Sequence, residues 1–258
     1  MIELKTGEEM DRIARGGAII AALYREMEQR IQAGVSTGEL DRFAEEFIRS
    51  HEGAEPAFKG LYGFPGSICA SVNEEVVHGI PSDERVLKEG DILSLDTGVR
   101  LDGWCSDSAW TFPVGELAPA TARLLEVTEE ALERAIAAAR PGKHVGDIGH
   151  AVEEAVRGTG FAIIRDLVGH GIGRKVHEEP QVPNRGKPGS GPVLEAGLVL
   201  AIEPMIAVGT WRIRTLSDRW TVTTTDRRPS AHFEHTVGVT EEGPRILTAL
   251  RDPVASAT

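Results

Sequence analysis

The sequence predicts an α+β fold of two related halves, and three observations carry that expectation. Apolar residues recur at helical spacing in two blocks, each followed by a Gly- and Pro-punctuated stretch of alternating β-type sequence. Short strings of the first half reappear in the second at nearly one offset. With 258 residues, 41% hydrophobic and 26% charged, the chain can bury one sizeable core and is not disordered in composition.

Thr6 and Glu9 form a capping box ahead of Met10, Ile13, Ala14, Gly17, Ala21 and Tyr24, which share one helical face. Ser36 and Glu39 repeat that signal before Leu40, Phe43, Ala44, Phe47 and Ile48. From Phe58 to Val114 the period shortens, and strands and turns are expected. Asp102-Gly103 is a hairpin signal; with that turn Leu101 pairs with Trp104 and Asp96 lies opposite Ala109. Asp107 then becomes the diagonal neighbour of Asp96 on the same face. Two more helices carry Leu124, Thr128, Leu132, Ala135 and Ile136, then Ile148, Ala151, Val152, Ala155 and Val156. Strands and Gly/Pro-rich loops fill the rest, from Gly160 to Leu247.

The repeat has a chemical consequence. Gly34-Val-Ser-Thr-Gly38-Glu39-Leu40 matches Gly142-Lys-His-Val-Gly146-Asp147-Ile148, an offset of 108. Leu87, Gly90, Ile92, Leu93, Leu95 and Asp96 match Leu194, Gly197, Val199, Leu200, Ile202 and Glu203, an offset of 107. Asp96 and Glu203 therefore hold equivalent strand positions, which a pseudo-two-fold can bring face to face. One domain over 1–258 is expected, with halves of about 1–115 and 116–250.

Charge and cysteine usage exclude several classes. A net charge of −12 disfavours nucleic acid and anionic membrane as main ligands. Cys69 and Cys105 make no disulfide framework, and Met1 to Arg12 lacks an apolar targeting segment, so a cytoplasmic protein is expected. The longest apolar run, near Leu198–Ile202, is too short to span a bilayer.

Four acids sit at the ends of core strands. Asp96 and Asp107 share the expected hairpin face, a pair that taken alone reads equally well as a solvated surface. Glu203 ends the run Leu198-Val-Leu-Ala-Ile202, and Glu234 lies in His232-Phe-Glu-His235. If the four converge, mutual repulsion raises their pKa values and opposes folding unless cations intervene, and two divalent ions balance four carboxylates. His170, between glycines, supplies a softer ligand; Gly169-His-Gly-Ile-Gly173 lacks the lysine of a phosphate-binding loop. His78 and His177 stand in Gly/Pro-punctuated loops and read as presented groups. His232 and His235 have weaker claims, and His51, His144 and His150 read as surface residues. His-Glu-x-x-His does not occur, which excludes a mononuclear zinc protease of that type. Cys105 shares the acidic face, where a thiolate is disfavoured.

The chain resembles the type I methionine aminopeptidases over essentially its whole length. The stretches that carry the resemblance are Gly63-Phe-Pro-Gly-Ser-Ile-Cys69, Ser71-Val-Asn-Glu-Glu-Val-Val-His-Gly-Ile-Pro81, Asp96-Thr-Gly98, Ser106-Asp-Ser-Ala109, Gly169-His-Gly-Ile-Gly-Arg174 with His177-Glu-Glu-Pro180, Ile202-Glu-Pro-Met205 and Phe233-Glu-His-Thr236. The resemblance implies the pita-bread fold: two pseudo-symmetric halves around a curved antiparallel sheet, with helices outside. It implies two divalent ions (Co, Mn, Fe or Zn), with Asp96 chelating one, Asp107 and Glu234 bridging both, and His170 and Glu203 completing the other. By the same resemblance Glu203 is the base that takes a proton from the attacking water, and His78 and His177 donate hydrogen bonds to the substrate peptide. A methionine pocket would be walled by Phe64, Cys69 and Trp220, with Phe58, Leu61 and Val176 beside them; Leu61 and Val176 stand where the family often carries aromatics. A monovalent cation is implied near Asn73 and Ser230. The implied substrates are nascent polypeptide N-termini with a small second residue, met at the ribosome by a monomer. Two rivals remain: an Xaa-Pro-type aminopeptidase of the same fold, and a catalytically inactive pita-bread binding module.

Overall fold

The computed structural model describes residues 2–249; residue 1 and residues 250–258 of the expected domain lie outside the described residues. Among the described residues, four α-helices form where the apolar spacing predicts them: α1 (Gly7–Arg30), α2 (Thr37–Arg49), α3 (Pro119–Ala138) and α4 (Val145–Val156). The first two open on full capping boxes. The Glu9 N–H donates to Thr6 Oγ1 at 3.2 Å, and the Thr6 N–H donates to a Glu9 carboxylate oxygen at 2.9 Å. Ser36 and Glu39 repeat the pattern. Pro119 supplies a preset φ in the first turn of α3. At α4 the cap position is taken by His144, whose N–H donates to Asp147 at 2.8 Å.

The long hairpin Ile92–Leu101/Trp104–Pro113 turns at Asp102-Gly103, both with positive φ (51° and 77°), as a tight two-residue turn requires. Its register is the expected one: Leu101 opposite Trp104 and Asp96 opposite Ala109. Strands Ala54–Pro56 and Cys69–Val72 both pair with Ile92–Leu101, so the β-region begins slightly before Phe58, and Cys69 stands opposite Asp96. In the second half a five-stranded antiparallel sheet runs in the order Gly243–Ile246, His235–Thr240, Val199–Ile202, Val168–Gly171, Glu178–Pro183.

Two large apolar clusters fill the halves. One packs α1 and α2 on the hairpin through Ile20, Leu23, Leu40, Ile48, Leu93 and Leu95. The other packs α3 and α4 on the second sheet through Leu124, Leu132, Ile148, Val152, Leu200 and Ile202. Trp110, on the hairpin, touches both. Local bonds recur between the halves at the sequence repeat. The Gly34 N–H donates to the Leu87 carbonyl at 2.9 Å, and that of Gly142 to Leu194 at the same distance. Isolated bridges pair Ser36 with Val86 and His144 with Val193.

A line of polar contacts joins the two sheets, and it positions the site. Asp107 N–H donates to Thr236 Oγ1 at 3.0 Å, and that hydroxyl donates to the Asp107 carbonyl at 2.7 Å. Ser108 Oγ donates to the Glu234 carbonyl at 2.7 Å, and the Glu234 N–H donates to the Ala109 carbonyl at 2.8 Å. Buried backbone groups must find partners, and here the partners lie across the join. Asp107 is thereby held beside Glu234, 127 positions away in the chain. Among the described residues, no helix is long and apolar enough to cross a membrane.

Candidate metal centre

The pleat puts Asp96 and Asp107 on one face of the hairpin, and that face is covered by the second sheet rather than by water. Glu203 follows strand Val199–Ile202 at the turn into Met205–Ala207, where the Asn184 side chain donates to its carbonyl at 2.9 Å. Glu234 lies between strands Ser230–His232 and His235–Thr240 and is 2% exposed. His170 comes from strand Val168–Gly171, between glycines whose backbone is crowded. A Cβ at Gly169 would collide with the Ala201 carbonyl, and one at Gly171 with the Glu179 carbonyl.

All five residues line one cavity of about 850 Å³. One donor atom each from Asp107, His170 and Glu234 lies within 4.8 Å of the others. His170 Nε2 is 3.6 Å from Glu203 Oε1 and 3.9 Å from Asp107 Oδ2. His170 Nδ1 is 2.9 Å from the Gly171 carbonyl, and a carbonyl only accepts, so the ring proton is assigned to Nδ1. That leaves the Nε2 lone pair facing the acids, the orientation a metal-ligating imidazole needs.

The electrostatics are those of a site suited to cations. Burial, and then the charges of their neighbours, push the carboxyls of Asp96, Glu203 and Glu234 well above the usual carboxylate range. Burial pushes Asp107 up to about 7. Asp96 Oδ1, Asp107 Oδ1 and Glu234 Oε1 are buried with no hydrogen-bond partner among the described residues. Unpartnered buried acceptors cost about 1–3 kcal/mol each, which a bound divalent ion would offset. Four carboxylates and an imidazole match Mn, Fe, Co or Zn rather than a thiolate-selected ion. The residues fit the group.

His78 and His177 border the same cavity. The His177 ring lies 4.5 Å from that of His170 and stacks on Tyr62 at 5.8 Å. His78, in a left-handed backbone conformation (φ 58°), meets Trp220 edge-on at 6.3 Å. Burial lowers the pKa of both, with the neighbouring His177 adding to the effect on His78. Each is neutral at pH 7 and has one N–H to give.

The apolar wall contains Phe64 and Trp220 in edge contact at 5.1 Å, together with Cys69, Phe58 and Leu61. Val176, 2% exposed, packs in one apolar cluster with Phe58, Phe64 and Cys69, behind the side chains that border the cavity. Burial and then the charge of Asp96 raise the Cys69 thiol well above its usual range, and burial lifts Cys105 to about 11. Neither is a nucleophile at neutral pH. The Ser230 N–H donates to the Asn73 carbonyl at 2.9 Å, while the Asn73 side chain bonds Asp91 and the Ile92 N–H.

Two neighbours escaped the sequence reading. His232, given a weak claim, is 2% exposed, with Nε2 3.6 Å from Glu203 and 4.0 Å from Glu234. A period of two with Glu234 was the available signal. Lys5 is buried, and its ammonium meets Glu178, next to His177, at 2.6 Å. No local pattern announces that pair, because the partners are 173 residues apart. His235 bonds Thr248 through Nδ1 at 2.9 Å, and His51, His144 and His150 are half-buried rather than fully exposed.

The model of metallopeptidase family M24 matches residues 11–241. Methionine aminopeptidase 1 of Bacillus subtilis is 50% identical over 248 residues, spanning 96% of this chain and 99% of that protein. The crystal structure of methionine aminopeptidase from Thermotoga maritima superposes with a TM-score of 0.94 at 45% identity, covering 96% of this chain and 99% of that one. Prolidase from Pyrococcus furiosus shares the fold at a TM-score of 0.79 and 24% identity, covering 96% of this chain and 66% of that one.

Proposed function

The chain belongs to metallopeptidase family M24, and from that premise we propose that it is a methionine aminopeptidase acting on polypeptides whose second residue is small. The observation that carries the reading is the convergence of Asp96, Asp107, His170, Glu203 and Glu234 on one buried cavity with an apolar wall. An inactive binding module has no use for four buried, mutually repelling acids.

Two divalent ions held by these five residues would supply Lewis acidity, lowering the pKa of the attacking water and polarising the scissile carbonyl. Glu203 removes a proton from that water as its oxygen attacks the carbonyl carbon, and delivers it to the leaving amine when the C–N bond breaks. His78 and His177 donate their N–H groups to the peptide, stabilising charge that develops during attack. Phe64, Cys69 and Trp220 enclose the methionine side chain, whose thioether favours aromatic contact. The substrates in this reading are newly made polypeptides in the cytoplasm, met near the ribosome.

Turnover of Met-Ala-Ser and Ala-Pro-containing peptides tests the assignment. Rapid release of methionine, abolished by a chelator and restored by Mn²⁺ or Co²⁺, is expected. Preferential cleavage at Ala-Pro would instead assign an Xaa-Pro enzyme, and no turnover with full metal occupancy would assign a binding module.

A further inference from the structure

One buried side chain at the centre has no part in that mechanism. The His232 ring is 2% exposed, and neither of its nitrogens has a hydrogen-bond partner among the described residues. Its backbone cannot swing away. The His232 N–H donates to Thr111 Oγ1 at 3.0 Å, and its carbonyl accepts from the same hydroxyl at 2.8 Å. On its other edge the strand pairs His232 with Met205. An imidazole fixed in this way, with both polar atoms unpartnered, carries a desolvation cost that needs a reason.

The reason lies in how the two oxygens of Glu203 are shared. Oε1 is 3.6 Å from Nε2 of His170, and Oε2 is 3.6 Å from Nε2 of His232. His170 presents a lone pair there, because its proton is on Nδ1. A cation can therefore sit between His170 and Oε1, leaving Oε2 to accept from a donor. Only a small side-chain rotation separates 3.6 Å from hydrogen-bond length. We propose that His232 is a positioning residue of the metal centre: its Nε2–H faces Oε2 of Glu203 and sets the rotation of that carboxylate, so that Oε1 stays beside His170. The inference rests on the reading of Glu203 as part of a metal centre. It makes the two imidazoles opposite tautomers, His170 with its proton on Nδ1 and His232 with its proton on Nε2.

The test is calorimetric titration of Mn²⁺ into the chelator-treated full-length protein, its His232→Gln variant and its His232→Leu variant. The leucine variant should bind Mn²⁺ about 10–100-fold more weakly, and the glutamine variant, whose amide N–H can donate from the same place, within about threefold of the parent. In steady-state assays kcat should fall in the leucine variant with KM little changed. Undiminished Mn²⁺ affinity in the leucine variant overturns the proposal, as does a glutamine variant as weak as the leucine one. Should the leucine variant not fold, two-bond ¹H–¹⁵N spectra of the Zn²⁺-loaded parent decide: His232 protonated on Nε2 supports the proposal, and a bare Nε2 overturns it. Failure of the parent itself to bind any divalent ion would sink the metal-centre reading, a result distinct from equal binding by parent and variant.

Discussion

His177 is flanked by the rings of Tyr62 and His170, a placement suited to giving a hydrogen bond into the cavity rather than to holding an ion. His177→Ala should lower kcat by about 10²–10⁴ while leaving bound metal unchanged, as assays paired with metal analysis would show. A parallel loss of metal would make it a ligand instead. Most of the site was legible at this scale. Asp96 and Asp107 followed from a hairpin turn and a period of two, and Glu203 from its place at the end of an apolar run. Val176 packs with Phe58, Phe64 and Cys69 behind the cavity wall, a depth that residue type alone does not give, because valine is equally at home in a wall or in the core behind it. His232 was undervalued because its meaning depends on Glu203, a neighbour in space and not in sequence.

The strand Val168–Gly171 and the loop after it show what an element needs to hold His170 and His177. Gly171→Ala would drive a methyl into the Glu179 carbonyl, destabilising the fold by about 1–3 kcal/mol and shifting His170. Thermal melting and Mn²⁺ titration should register both effects together. The same loop is tied from the far side by the buried Lys5–Glu178 pair, with side chains 4% and 13% exposed. Lys5→Met removes the ammonium and leaves Glu178 with the Lys175 N–H at 3.0 Å, so a loss of about 1–3 kcal/mol is expected, largely avoided in Lys5→Arg. Chemical denaturation of the two variants checks this, and an unchanged midpoint for Lys5→Met would mean that the pair contributes nothing. The helices and the hairpin were readable from caps, apolar spacing and a turn because those signals are local. This brace was not, since nothing near Lys5 indicates where its charge must end.

For the molecule as a whole, the buried acids set a pH dependence whose sign is fixed. Asp96, Glu203 and Glu234 have pKa values well above the ordinary range, and Asp107 is at about 7, so the metal-free folded chain holds protons that the unfolded chain releases near pH 4. Their stabilising contribution is complete below that value and is lost as pH climbs through the folded-state values. Burial lowers His170, His232 and His235 to about 4, 3 and 4 respectively, so their contribution is complete above the unfolded histidine value and steady from there upward. The Tm of metal-free protein should therefore fall as pH rises above about 6.5, and that of loaded protein should not. Metal binding at neutral pH should release protons, seen as a buffer-dependent enthalpy. A Tm independent of pH in the metal-free protein would contradict the buried, proton-holding cluster.

The two halves also divide the chemistry between them, with Asp96 and Asp107 before the exposed connection 115–118 and His170, Glu203 and Glu234 after it. A polypeptide severed there yields two pieces, each inert by composition, since neither carries a full set of donors. Competence returns only when they dock through the seam of Thr236 and Ser108, which makes this connection a natural place to build a split reporter whose signal is reassembly itself.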